Sequence, residues 1–94
     1  MNTRQSPAEP APALRALVVD DSRTEQRLAA VALRNAGLEV TIVASALEAL
    51  IALGEAAYAF VLLDHQLPDL PGLSLVGLIG REFLSPPPLV LWSA

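Results

Sequence analysis

Four short apolar runs, each ending at a polar residue and each separated from the next by one helix-like stretch, leave this chain few folds to choose from. The first run is Leu14-Arg15-Ala16-Leu17-Val18-Val19, which stops at Asp20-Asp21. The second is Val40–Val43, the third Ala59–Leu63 ending at Asp64, and the fourth Leu89–Trp92 ending at Ser93. Runs this short and rich in Val and Leu read as strands buried on both faces. Between them lie helix signals. Ser22 with Glu25, and Ser45 with Glu48, have the spacing at which two side chains satisfy backbone N–H groups at a helix start. Leu28, Val31, Ala32 and Asn35 follow the first signal at helical spacing, and Gly37 suits a left-handed stop. Leu47, Leu50 and Ile51 form the expected apolar face of a second helix, closed by Gly54. Leu75, Val76, Leu78, Ile79 and Phe83 form that of a third, broken by Ser85-Pro86-Pro87-Pro88. Phe83 and Trp92 are expected in the core, with Tyr58 partly buried.

Strands joined by single helices imply an α/β fold with a parallel sheet and right-handed crossovers. Ligands of such sheets bind beyond the carboxyl ends of the strands, where the strand order reverses. The 94 residues allow one domain with one small core. Residues 1–13, with Pro7, Pro10 and Pro12, read as a tail or linker before a domain over 14–94. The net charge of −4 argues against a nucleic-acid surface. No run approaches the roughly 18 apolar residues of a membrane span, and no signal peptide is apparent, so a soluble, cytoplasmic protein is expected. Without cysteine there is no thiol chemistry, and all six basic residues are Arg.

The chemistry concentrates in the aspartates. Only four occur, Asp20, Asp21, Asp64 and Asp69, and the first three directly follow expected strands. If the first, third and fourth strands are neighbours, Asp20, Asp21, Asp64 and Ser93 converge on one sheet edge. Clustered carboxylates raise one another's pKa unless a cation neutralises them. An oxygen-only site of this kind suits Mg²⁺. A carboxylate beside Mg²⁺ can attack phosphorus, with Ser93 donating to a phosphoryl oxygen. Each residue also has an ordinary reading. Asp20 or Asp21 can be no more than a helix cap, Asp64 a solvated loop charge, and Ser93 a surface hydroxyl. His65 and Asp69 read as loop residues.

Three segments then resemble the receiver domain of two-component response regulators. Leu17-Val18-Val19-Asp20-Asp21-Ser22 resembles its first strand and acidic pair. Phe60 to Gly72, with Asp64 and the loop His65-Gln66-Leu67-Pro68-Asp69-Leu70-Pro71, resembles its phosphoacceptor strand and Pro/Gly loop. Leu89 to Ala94 resembles its fourth strand, ending in a hydroxyl and a small residue. The resemblance implies a doubly wound, flavodoxin-like topology. It implies that Asp64 accepts a phosphoryl group from a histidine kinase or phosphotransfer protein, and that the domain is not an enzyme beyond this self-modification. Asp21 would bind Mg²⁺ directly, Asp20 directly or through water, and Gln66 through its backbone carbonyl. Ser93 would be the switch hydroxyl, and Ala94 would leave room for the donor.

Against that pattern the last strand, with its phosphate-binding lysine, and the last two helices are not found, and the chain contains no Lys. An uncovered sheet edge is therefore expected, to be met by a partner, by self-association or by partial disorder. The alternative reading is a receiver-like interaction module that does not signal by phosphate. A phosphohydrolase with an aspartate nucleophile is disfavoured, because the second aspartate such enzymes carry two positions later is Gln66 here.

Overall fold

The computed structural model describes residues 14–92 of the chain. The expected tail over residues 1–13 and the expected site residue Ser93, with Ala94, lie outside the described residues. In order, the elements are β1 (Arg15–Val19), α1 (Arg23–Asn35), β2 (Glu39–Val43), α2 (Ala46–Glu55), β3 (Phe60–Asp64), α3 (Gly72–Glu82) and β4 (Leu89–Trp92). All strand pairs are parallel, in the order β2-β1-β3-β4. Val18 pairs with Ile42 on one side and Leu62 on the other, and Leu62 pairs in turn with Val90. The sheet grows outward from β1, first to β2 and then across to β3 and β4. The chain therefore changes direction between β1 and β3, and loops leaving their carboxyl ends part there to leave a cleft.

Strand alternation divides the core. Leu17, Val19, Val61 and Leu63 pack with Ala46, Ala49, Leu53, Leu75 and Ile79 of α2 and α3. Ala16 and Val18 point the other way, towards the face that α1 covers over β1 and β2. By the same two-residue period, Asp20 and Asp64 leave the sheet on the side of Val18 and Leu62.

The helix starts follow the sequence signals. Ser22 Oγ accepts from Glu25 N and Ser45 Oγ from Glu48 N, at 3.4 and 3.2 Å. At the end of α1, Gly37 adopts φ +91°, while its N–H reaches Arg34 O and that of Leu38 reaches Leu33 O. This closure needs a left-handed residue, which glycine supplies without a Cβ clash. Gly54 plays no such part: α2 continues through Glu55 and ends on an extended Ala56.

The apolar faces of α1 and α2 differ in part from those expected, although the expected Leu50 of α2 does pack against the core. Leu28 and Leu47 are 64% and 63% exposed, and Val31, Ala32 and Ile51 are also exposed. The buried residues are Ala29 and Ala30 on α1, and Ala46, Ala49, Ala52 and Leu53 on α2. Small side chains let a helix backbone approach the sheet closely. Large apolar residues flank that contact instead of filling it. On α3 the expected Leu75 and Ile79 are buried, while Phe83, one residue past the helix, packs against the core with Tyr58.

Candidate functional site

The site begins with β1. This strand runs buried to its end, so the residue after it, Asp20, is carried into the protein with a relative exposure of 0%. Its backbone remains tied to the sheet: Asp20 N donates to Val43 O, and Gln26 Nε2 of α1 donates to the Asp20 carbonyl. The side chain makes a local turn, with Oδ1 accepting from Ser22 N at 2.9 Å. Oδ2 is buried and has no hydrogen-bond partner among the described residues. Capping of α1 falls to Ser22, which leaves the Asp20 and Asp21 carboxylates clear of the ordinary capping role.

Asp64 ends β3 beside β1 and is 8% exposed. Its main chain is held against β4, since Asp64 pairs with Trp92 and His65 N donates to Trp92 O. Asp64 Oδ1 lies 3.4 Å from His65 Nδ1 and accepts a long contact from Gln66 N at 3.5 Å. Asp20, Asp21 and Asp64 each place a carboxylate oxygen within 4.8 Å of the others. Asp21 stands at the exposed side of this trio. A cleft of about 620 Å³ opens over it, lined by Asp21, Asp64, Gln66 and Asp69 among others.

The electrostatics follow from this placement. Burial, more than any other cause, pushes the Asp20 carboxyl above its ordinary value. The Ser22 N–H works against that rise, whereas the neighbouring Asp64, Glu25 and Asp21 charges add to it. A buried anion with one unpartnered oxygen, beside two further carboxylates, is costly as it stands. A divalent cation with oxygen preference removes that cost. The donors are all hard oxygens, with an open cleft for water or a further ligand, and so the residues fit Mg²⁺.

The loop from His65 to Pro71 forms the other wall. It is closed at its base by Gly72 N donating to His65 O at 2.8 Å, and Gln66 and Pro71 form an isolated antiparallel bridge. Gly72 is required there, since a Cβ would come within 2.5 Å of Asp64 O and 2.9 Å of His65 Cα. Both atoms are backbone and cannot step aside. Sequence reasoning missed the role of Asp69. Its two oxygens accept from Ala46 N and Leu47 N, both at 2.9 Å, across to the start of α2. These bonds hold its carboxyl below the ordinary value. The sequence signal that could have pointed to it is only an Asp in a loop near a second, already capped helix start.

A parallel sheet of order β2-β1-β3-β4, with an acidic trio at the switch between β1 and β3, is the flavodoxin-like arrangement up to its fourth strand. The model of the response regulator receiver domain matches residues 16–94, and the chain belongs to that family. A sensor protein from Polaromonas sp. JS666 is 31% identical, with a TM-score of 0.82, over 88% of this chain and 67% of that one. A CheY-like response regulator receiver domain from Methylobacillus flagellatus is 28% identical at TM-score 0.79, over 87% of this chain and 70% of that one. A structure of histidine kinase ThkA in complex with response regulator protein TrrA contains a chain 30% identical at TM-score 0.78, covered to 69% by 86% of this chain. The chain thus spans about two thirds of these structures. A comparison with curated proteins finds no match. No helix among the described residues is long and apolar enough to cross a membrane.

Proposed function

We propose that this domain is a phosphoacceptor module of a two-component phosphorelay, taking a phosphoryl group onto Asp64 with Mg²⁺ held by the acidic trio. The observation that carries this reading is the acidic trio itself: Asp20, Asp21 and Asp64 each place a carboxylate oxygen within 4.8 Å of the others, and the Oδ2 of Asp20 is buried with no hydrogen-bond partner among the described residues. A purely structural role does not call for three carboxylates gathered this closely at the mouth of a sheet.

Asp20, Asp21, Asp64 and the Gln66 carbonyl would hold the ion. When bound, Mg²⁺ supplies positive charge to the phosphoryl oxygens, where phosphoryl transfer depends mostly on positioning and electrostatics. Asp64 is the nucleophile. An Asp64 oxygen forms a bond to phosphorus while the N–P bond of a phosphohistidine donor breaks. Its electron pair returns to the imidazole nitrogen, which takes up a proton. The pairing of Asp64 with Trp92 of β4, directly after the Val19–Leu63 pair with β1, fixes the direction of attack. The cleft admits the donor from the solvent side. Ser93, directly after β4 in sequence, would donate its hydroxyl to the transferred group. The domain acts on itself once per transfer and is not a turnover enzyme. Its partner is a histidine kinase or phosphotransfer protein, and its setting the cytoplasm.

The test is incubation with acetyl phosphate and MgCl2, followed by intact-mass analysis and peptide mapping. One phosphoryl adduct on Asp64, absent in Asp64→Asn and absent when EDTA replaces Mg²⁺, is expected. A folded, Mg²⁺-binding protein that acquires no adduct overturns the phosphoacceptor reading.

A further inference from the structure

Two segments not joined by any strand pairing meet beside the cleft. One is the loop between β3 and α3, which carries Gln66. The other is the first turn of α2. A helix start leaves its first N–H groups without intrahelical partners, and α2 satisfies them from two sources. Ser45 takes the third, at Glu48 N, as its local cap. Asp69 takes the first two, at Ala46 N and Leu47 N, with one oxygen on each. Glu48 Oε1 completes the turn by accepting from Ala44 N. Among the described residues, Asp69 is thus the one cap of α2 that comes from a distant part of the chain.

The loop is thereby pinned at two places. Its base is closed by Gly72 N to His65 O, and its tip is fastened by Asp69. Gln66 lies between them, next to the point where its N–H meets Asp64 Oδ1. Leu67 and Leu70 pack beneath the loop against the core, but apolar contact is non-directional and tolerates sliding. Two hydrogen bonds from one carboxylate to successive amides are directional and set the rotation of the tip.

We infer that Asp69 is a positioning residue for the cation site: its carboxylate fastens the β3–α3 loop to the first turn of α2 and so sets where the Gln66 carbonyl stands beside Asp64. This inference rests on the cation reading of the acidic trio. It makes the cleft and α2 two ends of one linkage. Whatever orders the loop at Gln66 also holds Asp69 against Ala46 and Leu47, and by reciprocity a firm α2 start favours the bound loop.

The experiment uses the full chain, with Mg²⁺ alone as the probe. Affinity is read by isothermal titration, and amide hydrogen exchange is followed with and without Mg²⁺. Asp69→Ala should weaken Mg²⁺ binding about tenfold, the lower range for a group that orients a ligand. Asp69→Asn loses the same charge but keeps one acceptor oxygen, so its loss should be smaller. Ser45→Ala removes the neighbouring cap of the same helix without touching the loop and should leave Mg²⁺ affinity unchanged. In the unsubstituted protein, Mg²⁺ should increase protection of the Ala46 and Leu47 amides. Equal losses in Asp69→Ala and Asp69→Asn would show an effect of charge alone and overturn the inference. So would an equal loss in Ser45→Ala, or undiminished binding in Asp69→Ala. Should Asp69→Ala fail to fold by circular dichroism, the comparison of Asp69→Asn with Ser45→Ala decides the matter. An unsubstituted protein that binds no Mg²⁺ removes the cation reading itself, a result distinct from all of these.

Discussion

Replacing Asp20 by Asn should make the metal-free protein more stable and at the same time remove its response to Mg²⁺. The ligand oxygens of Asp20, Asp21 and Asp64 lie within 4.8 Å of one another. At that spacing two unit charges repel by about 1 kcal/mol in water and about 3.5 kcal/mol at an effective dielectric near 20. Asp21 is exposed, which favours the lower figure for its pair. Even with the lower figure taken for both neighbours, relief comes to about 2 kcal/mol, or on the order of 10 °C in Tm for a domain of this size. Asn keeps the acceptor that Ser22 N uses, and its Nδ2 takes the place of the unpartnered Oδ2, where it can donate to a neighbouring carboxylate.

Thermal melts across a MgCl2 series read both halves of this prediction. The unsubstituted protein should gain about 1.4 kcal/mol when free Mg²⁺ reaches about ten times its dissociation constant. Asp20→Asn should start higher and stay flat. The pH dependence has a definite sign. Asp20 has a raised carboxyl pKa, so its protonated form contributes stability that is fully present below the ordinary value of 3.8 and is lost as pH rises through the raised one. The advantage of Asn should therefore be absent in acid and grow over that window. A metal-free Asp20→Asn protein less stable than its parent at neutral pH, or one that still gains stability with Mg²⁺, would refute the reasoning.

Three further outcomes are expected. Gly72→Ala drives a Cβ into Asp64 O and His65 Cα and should cost about 3 kcal/mol, the upper range for overpacking, as read by urea denaturation. Asp69, with its carboxyl pKa lowered, contributes stability that is present above 3.8 and lost as pH falls through the lowered value, so protection of the Ala46 and Leu47 amides should persist into acid and then collapse there; collapse at the ordinary value would contradict the pair of hydrogen bonds that Asp69 accepts. Leu75→Ala empties a fully buried position between α3 and the sheet and should lower stability by about 3 kcal/mol, whereas Leu73→Ala, on the exposed side of α3, should change it little.

The sheet was legible in the sequence because its signals are local: each strand is a short apolar run ending at a polar residue, and parallel pairing follows from the helices between them. The end-of-strand positions of Asp20, Asp21 and Asp64 were legible for the same reason. The buried faces of α1 and α2 were not. Leu28, Val31, Leu47 and Ile51 carry the strong hydrophobic signal, but the buried surfaces of the two helices are mostly alanines, joined on α2 by Leu53, and the small size of the alanines matters more than their hydropathy. The role of Asp69 was hidden for a different reason. Its partners, Ala46 and Leu47, are backbone groups far away in sequence, and an amide offers no residue-type signal to search for.

The acidic pair follows β1, which lies inside the sheet with β2 against one edge and β3 against the other. Neither Asp20 nor Asp64 can reach its place until chain from both sides of α1 and α2 has been gathered around β1. On the proposed reading, divalent-cation affinity would therefore be a gauge of the whole assembly. A substitution anywhere that loosens the gathering, even one far from any oxygen of the trio, will register there as weaker capture of the ion before it registers as loss of helix.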